Sequence, residues 1–203
     1  MKSTIQLSLL LLALISLNLA AQTQTCNINA LETAPASRFT INSDGTVTDT
    51  QTSLIWARCP QGLSGADCTG GTLAGLNWVT ALNLNGTRPT SVTTGAISGT
   101  DWRLPNVKEL QSLVERSCFS PAINETVFPN TPTGFLPSFF WSASPDAGFT
   151  GFAWGVSFGS GDVSKLDRGI GLSVLLGRSG QLFYAFCFFH ILKKRFHVLS
   201  KRV

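Results

Sequence analysis

Residues 99–115 read Gly-Thr-Asp-Trp-Arg-Leu-Pro-Asn-Val-Lys-Glu-Leu-Gln-Ser-Leu-Val-Glu, and no other stretch constrains the fold as much. Asn106 is a good helix N-cap, and Glu109, three residues on, completes a capping box. Leu110, Leu113 and Val114 then fall on one helix face. Ahead of the cap, Trp102 and Leu104 alternate with Asp101 and Arg103, the pattern of an extended apolar lead-in. A second short helix is expected over residues 77–84, where Trp78, Ala81 and Leu82 share a face.

The rest of the body reads as β. Phe39 and Ile41 alternate with polar neighbours, Asp44-Gly45 is a strong hairpin signal, and residues 54–56 form a second apolar strand. Asn42, Asp44 and Asp49 could be read as cation ligands, but their glycine comes too early for a calcium loop, and a turn explains it. Residues 117–137 carry four prolines and read as a long ordered connection. A strand is expected over 139–144. Residues 152–158 are the clearest strand, with Phe152, Trp154, Val156 and Phe158 opposite Ala153, Gly155 and Ser157. Residues 163–166 return, and 172–176 form a last apolar strand. The expected class is α+β: short antiparallel strands, two short helices and long ordered loops.

The chain has 203 residues, 43% hydrophobic and only 13% charged. Low charge with abundant Thr, Ser, Asn and Gly is a pattern of extracellular β-rich proteins. Lys2 followed by an apolar run over 5–20 and Ala20-Ala21 reads as a signal peptide, residues 1–21. A polar leader, 22–37, and the domain proper, 38–181, follow. The expectation is an exported protein, periplasmic, secreted or at the outer surface. The formal charge of +4 misleads, because Lys2 and five basic residues of the last eleven lie outside the body. Residues 22–181 carry nine basic and eleven acidic side chains, a net of −2, so a nucleic-acid partner is not expected.

Export permits disulfides. Cys59 and Cys68 flank a turn-rich loop that a bridge could close. Cys26 and Cys118 are the natural second pair, although four cysteines allow three connectivities. A metal centre is not expected, for want of Cys-x-x-Cys spacing or nearby histidine.

Both histidines, His190 and His197, lie in the tail, as does Tyr184. The body therefore has no imidazole for a Ser–His or Cys–His nucleophile, and no phosphate loop is visible. No catalytic residue and no cofactor are assigned. Paired carboxylates remain (Asp101 with Glu109 or Glu115, Asp162 with Asp167), but solvated or ion-paired surface acids explain them better. Among five tryptophans, Trp56, Trp102 and Trp154 sit in apolar alternation and read as core. Trp141, beside Ser142 and Ser144, is the candidate ligand-binding aromatic. Asp101 and Arg103 complete the candidate site, with Arg103 alternatively an ion-pair partner of Asp101 or Glu109.

These motifs together carry a resemblance. Asp44-Gly45, Leu54-Ile55-Trp56-Ala57-Arg58-Cys59, Cys68 with Gly70, Asn77-Trp78 and the run from Asp101 to Leu110 occur in order. Pro121-Ala122-Ile123-Asn124, Phe128-Pro129, Trp141-Ser142-Ala143-Ser144, Ala153-Trp154-Gly155-Val156-Ser157-Phe158 and Gly177-Arg178-Ser179-Gly180 follow. The chain resembles, over residues 38–181, the C-terminal domain family of the Legionella collagen-like adhesin. The resemblance implies a compact domain similar to the C-type-lectin-like and formylglycine-generating-enzyme superfamily. It implies a non-catalytic adhesion or binding role toward a glycan or cell-envelope partner, with trimers by analogy. Superfamily-type oxidase, carboxylate hydrolase and purely structural envelope module are the alternatives. In the adhesin the related domain is associated with sulfated glycans, an inference that this body's negative charge weakens. The chain departs from the family at its end, with Leu175 where an arginine is expected. Residues 182–192 are then almost wholly apolar and precede Lys193-Lys194-Arg195. They are too few to span a bilayer and are expected to give weak membrane association at most, on a tail (182–203) foreign to the domain.

Overall fold

The computed structural model describes residues 23–92 and 101–180. The expected signal peptide 1–21 and tail 182–203, with Cys187 and both histidines, lie outside the described residues. In chain order come β1 (Thr25–Cys26), a 3-10 turn (Ala36–Arg38), β2 (Phe39–Ile41), β3 (Thr46–Asp49), β4 (Leu54–Ala57), β5 (Leu63–Ser64) and β6 (Gly70–Gly71). Helices α1 (Trp78–Leu82) and α2 (Val107–Gln111) precede β7 (Cys118–Phe119), β8 (Phe139–Pro145), β9 (Phe152–Ser157), β10 (Val163–Asp167) and β11 (Gly177–Ser179). The class is α+β. One sheet runs β11-β4-β3-β2, another β10-β9-β8, and β1-β7 and β5-β6 form two-stranded ribbons; all pairings are antiparallel.

Local chemistry sets these elements. Asp44 Oδ1 accepts from the Thr46 amide at 3.1 Å and the Thr46 hydroxyl at 2.6 Å, closing the β2–β3 hairpin. Gly45 there has φ +82°, and a Cβ would fall 2.1 Å from Ser91 O, so only glycine fits. Asp49 closes the next turn by accepting from the Gln51 amide at 3.0 Å, and its carboxylate takes a two-pronged bond from Arg38. Asp44 and Asp49 are thus engaged by turn donors and a guanidinium. The expected capping box is present. Asn106 Oδ1 accepts from the Lys108 and Glu109 amides at 2.9 Å, and Glu109 Oε2 accepts from the Asn106 amide at 2.8 Å. Asn77 caps α1 through the Thr80 amide.

A single apolar cluster unites both larger sheets and both helices. Trp56, Trp102, Phe128, Phe140 and Phe158 are fully buried in it, each contributing roughly 1.5–3 kcal/mol or more by burial. In the β8–β10 sheet, Trp141 stands opposite Gly155, Phe140 opposite Val156, and Trp154 opposite Lys165. Alternation therefore puts Trp141, Ala153 and Gly155 on one face and Phe140, Trp154 and Val156 on the other. Both faces are covered over much of their area, which explains the small residues of β9. A Cβ on Gly155 would lie 2.8 Å from Leu166 Cδ1 and 3.1 Å from Phe140 O.

Three expectations need correction. Trp141 is not an exposed candidate: it is 0% exposed. Trp154, expected in the core, is half-buried, because cover on its face stops short of the Phe152 end of β9. Residues 172–176 are buried but form only isolated bridges, Leu76 with Leu172 and Phe140 with Ser173. The last regular strand is β11, where Gly177 to Ser179 pair with Trp56 to Leu54. The apolar run fills space between the sheets and finds separate backbone partners there.

The leader is fastened to the body. Cys26 is bonded to Cys118 across the β1–β7 ribbon, and Gln24 Nε2 donates to Pro121 O at 2.7 Å and Ile123 O at 2.6 Å. Cys59 is bonded to Cys68, closing the short loop.

Candidate functional site

The sequence-expected trio does not converge. Trp141 Nε1 donates to Leu76 O at 2.8 Å, an internal bond that fixes the indole in the core. Arg103 makes a fork to Glu109, Nη1 to Oε2 at 2.8 Å and Nη2 to Oε1 at 2.7 Å, one of the two ion pairs expected for it. Asp101 lies 3.5 Å from Arg178 Nη1. Arg178 is buried and its guanidinium sits 5.3 Å from the Trp102 ring centre, so Asp101 supplies counter-charge to a buried cation. Asp101 and Arg103 thus tie the residue 101–111 segment together and to the end of the domain.

A groove lies elsewhere, between the β7 end and the turn after β9. Its volume is about 540 Å³. Phe119 and Phe135 stand at it, 55% and 85% exposed. Phe119 is held by β7, which is bonded covalently to β1 at the preceding residue. Ser120 donates its amide to Gly159 O at 2.8 Å and precedes a cis bond to Pro121. The floor is hydroxylic. Ser138 Oγ lies 3.3 Å from Ser157 Oγ, and Ser160 Oγ donates to Asp162 Oδ2 at 2.7 Å. Asp162 is the one acidic lining residue, and no lysine or arginine lines the groove. Two exposed rings above hydroxyls and one carboxylate can stack an apolar ring face and exchange hydrogen bonds with its rim.

Phe119 and Phe135 escaped sequence reasoning because one sits in a two-residue strand and the other in a loop, neither long enough to show a period. The available signal was two phenylalanines embedded in Ser, Thr, Gly and Pro, in Cys118-Phe119-Ser120-Pro121 and Thr133-Gly134-Phe135-Leu136-Pro137. A second aromatic surface was also missed. Lys165 Nζ lies 5.2 Å from the Phe149 ring centre and 5.5 Å from that of Trp154, and pairs with Asp146 at 2.9 Å.

Glu109, Glu115 and Asp146 are tuned toward ionisation, and Glu125 away from it. The Arg103 fork, against burial, holds Glu109 below its ordinary value. Burial pushes Glu115 up, but bonds from the Ser117 hydroxyl and amide and from the Ala34 and Thr33 amides outweigh it and hold it low. Lys165 holds Asp146 low, assisted by the Gly148 amide. Burial alone raises Glu125.

Fold and disulfides define an α+β module in which two cross-links and one aromatic core carry long irregular loops. The chain belongs to the Lcl C-terminal domain family, whose model matches residues 45–176. No curated protein matches the chain. This membership makes it a relative of a collagen-like adhesin's domain, an adhesion-type family. Family and disulfides together are consistent with an extracellular or envelope location.

Proposed function

We propose that this is an exported, non-catalytic recognition module that binds a neutral glycan of the cell envelope or its surroundings along the Phe119–Phe135 groove. The observation that carries the reading is the pair of exposed phenylalanines over a hydroxyl-lined floor. The two rings line one groove, and sugar rings offer a matching apolar face with hydroxyls at the rim. Asp162, without a cation beside it in the lining, favours neutral sugars over sulfated ones. On this reading the fold is C-type-lectin-like, the signal peptide directs export to the periplasm, outer surface or medium, and trimers multiply weak single-site contacts. Nucleic acid is not a partner, and the tail adds weak membrane association at most.

The non-catalytic reading draws on the acids. A carboxylate hydrolase needs one acid raised toward neutrality beside an ionised partner. Glu109 and Glu115 are both held low by their own donors. A thiol oxidase needs reactive cysteines, whereas Cys26, Cys59, Cys68 and Cys118 are consumed in two bridges. Thiol titration of the oxidised protein tests the oxidase directly. Isothermal titration with neutral oligosaccharides tests the groove: heat that vanishes in Phe135→Ala supports it, and unchanged heat contradicts it.

A further inference from the structure

Each of the two larger sheets has two outer edges, and the edges differ in what lies beside them. In one sheet, β8 donates the Trp141 amide to Ser173 O at 3.0 Å and the Ala143 amide to Pro105 O at 2.7 Å. In the other, Gly177 of β11 exchanges backbone bonds with Arg103 at 2.9 and 3.1 Å, and β2 is only three residues long. β10 is unlike all three. It runs five residues without proline or glycine and keeps an unbroken register against β9. Among the described residues, no second strand pairs with it. A regular strand left open in this way is a template for another chain.

Backbone alternation fixes which groups of β10 are open. Asp162 O accepts the Ser157 amide at 2.8 Å, and Arg168 donates its amide to Gly151 O at 2.9 Å. Even-numbered residues of this segment therefore turn N–H and C=O toward β9, and Val163, Lys165 and Asp167 turn theirs outward. Asp167 O takes the Ile170 amide at 3.2 Å and keeps a second lone pair. Two opposite charges stand on this open edge, on one face, where Lys165 lies opposite Trp154 and Asp167 opposite Phe152. Lys165 is 45% exposed, and Asp146 holds its Nζ at 2.9 Å while leaving it donors to spare. Asp167 is exposed, and its Oδ1 is fixed by the Gly169 amide at 2.7 Å. Both charges are thus held in position before any partner arrives.

We propose that β10 is a docking edge for a second copy of this chain, the two β10 strands pairing antiparallel about a two-fold axis at Leu166. Outward amides meet only in registers that set odd-numbered residues opposite odd-numbered ones. Centred on Lys165, such a ladder sets lysine against lysine; centred on Asp167, aspartate against aspartate. Centred on Ser164, it sets Lys165 against Val163. Centred on Leu166, it sets each copy's Lys165 directly opposite the other's Asp167, and both backbone groups of each residue are engaged. The contact uses one patch twice, as two-fold association requires. A lone edge lysine turns other strands away; with aspartate two residues on, it admits its own copy in one register. The edge is short, so the pairing is weak and depends on concentration. It stands apart from the groove reading, but it would join two grooves: the Asp162 residues at their rims fall about eight positions apart along the strands, roughly 26 Å.

The test is sedimentation equilibrium of the oxidised full chain from about 10 µM to about 1 mM, the span of weak association. The average mass should rise toward twice its dilute value; a chain that also trimerises doubles its trimer mass by the same contact. Lys165→Asp and Asp167→Lys should each weaken the doubling roughly tenfold or more, because each sets like charges opposite one another. An equimolar mixture of the two variants should double again, since one then carries both carboxylates and the other both ammoniums. Amide exchange of the parent chain gives a readout that needs no variant. Lys165 and Asp167 should gain protection as concentration rises, while Leu166, which faces β9, should not. Phe119→Ala and Phe135→Ala should associate as the parent does, so failure of the groove reading and failure of this one are distinct results. A mass that stays constant over the range overturns the proposal. So does doubling that both charge variants retain, or a mixture that stays dissociated. Protection of Lys165 and Asp167 that is independent of concentration also overturns it, because another segment of the same chain then covers the edge.

Discussion

Glu115 Oε2 accepts the amide of Ala34 at 2.7 Å, joining residues 81 positions apart. Oε1 of the same carboxylate takes the Thr33 amide at 3.1 Å and the Ser117 amide at 2.9 Å, so one buried acid seats the leader on the body. Its folded pKa is depressed, which fixes the sign of its pH effect. The stabilisation is fully present above the unfolded carboxylate value and is lost as pH falls through the lower folded one. Glu115→Gln should lower stability by about 1–3 kcal/mol at neutral pH and flatten the loss of stability below about pH 4.3. Urea melts from pH 3 to pH 7 measure both; an unchanged acid slope contradicts the assignment.

Arg38 and Asp49 form the most buried ion pair of the β2–β3 region, with side chains 8% and 0% exposed. Arg38 Nη1 also donates to Ser112 O at 2.8 Å, at the C-cap of α2. Removing one partner strands the other in the core. Arg38→Met should therefore cost about 3–5 kcal/mol, and the double variant Arg38→Met/Asp49→Leu less than the sum of the single ones. A double-mutant cycle by chemical denaturation reads the coupling directly.

Trp141 and Trp154 lie thirteen positions apart and on opposite faces of one sheet, and they should respond differently. Trp141→Ala removes a fully buried ring and one of the two bonds that Leu76 O accepts, which should cost about 3–5 kcal/mol. Trp154→Ala removes a half-buried ring, 5.5 Å from Lys165 Nζ, and should cost no more than about 1–2 kcal/mol. Thermal melts of the two variants decide it, and equal losses would contradict the burial described.

These two tryptophans also show what the sequence can and cannot say. Period-2 alternation read Trp154 as core and the neighbouring serines read Trp141 as exposed, but burial depends on what covers each face, and that cover comes from remote chain: Leu172 Cδ1 lies 3.9 Å from where a Cβ on Gly155 would stand, on the face that Trp141 shares. Short-range chemistry was legible because its partners lie within a few residues. Asp44-Gly45 made its hairpin, and Asn106 with Glu109 made its capping box, since both are closed by local hydrogen bonds. The two bridges were legible as a natural pairing among three. Arg178 was passed over as a motif residue, although burial against Trp102 and Asp101 makes it structural. The groove was illegible because Phe119 and Phe135 are brought together by a proline-rich connection with no repeating pattern.

The two disulfides close loops of very different length, with sequence separations of 92 and 9. By chain entropy, losing Cys26–Cys118 should cost about 4–5 kcal/mol and losing Cys59–Cys68 about 2–3 kcal/mol. Cys26→Ser/Cys118→Ser and Cys59→Ser/Cys68→Ser, compared by urea denaturation, test that order. The first pair should also loosen Phe119, visible as faster amide exchange at residues 118–120.

The central claim is that the Phe119–Phe135 groove reads a neutral glycan. The measurement that tests it most directly is a glycan-array screen of the oxidised protein at two salt concentrations, run beside Phe119→Ala and Phe135→Ala. The account predicts reproducible binding to neutral oligosaccharides, insensitive to salt and lost in both variants. Silence across the array, or binding that salt abolishes and the two variants leave intact, would contradict it.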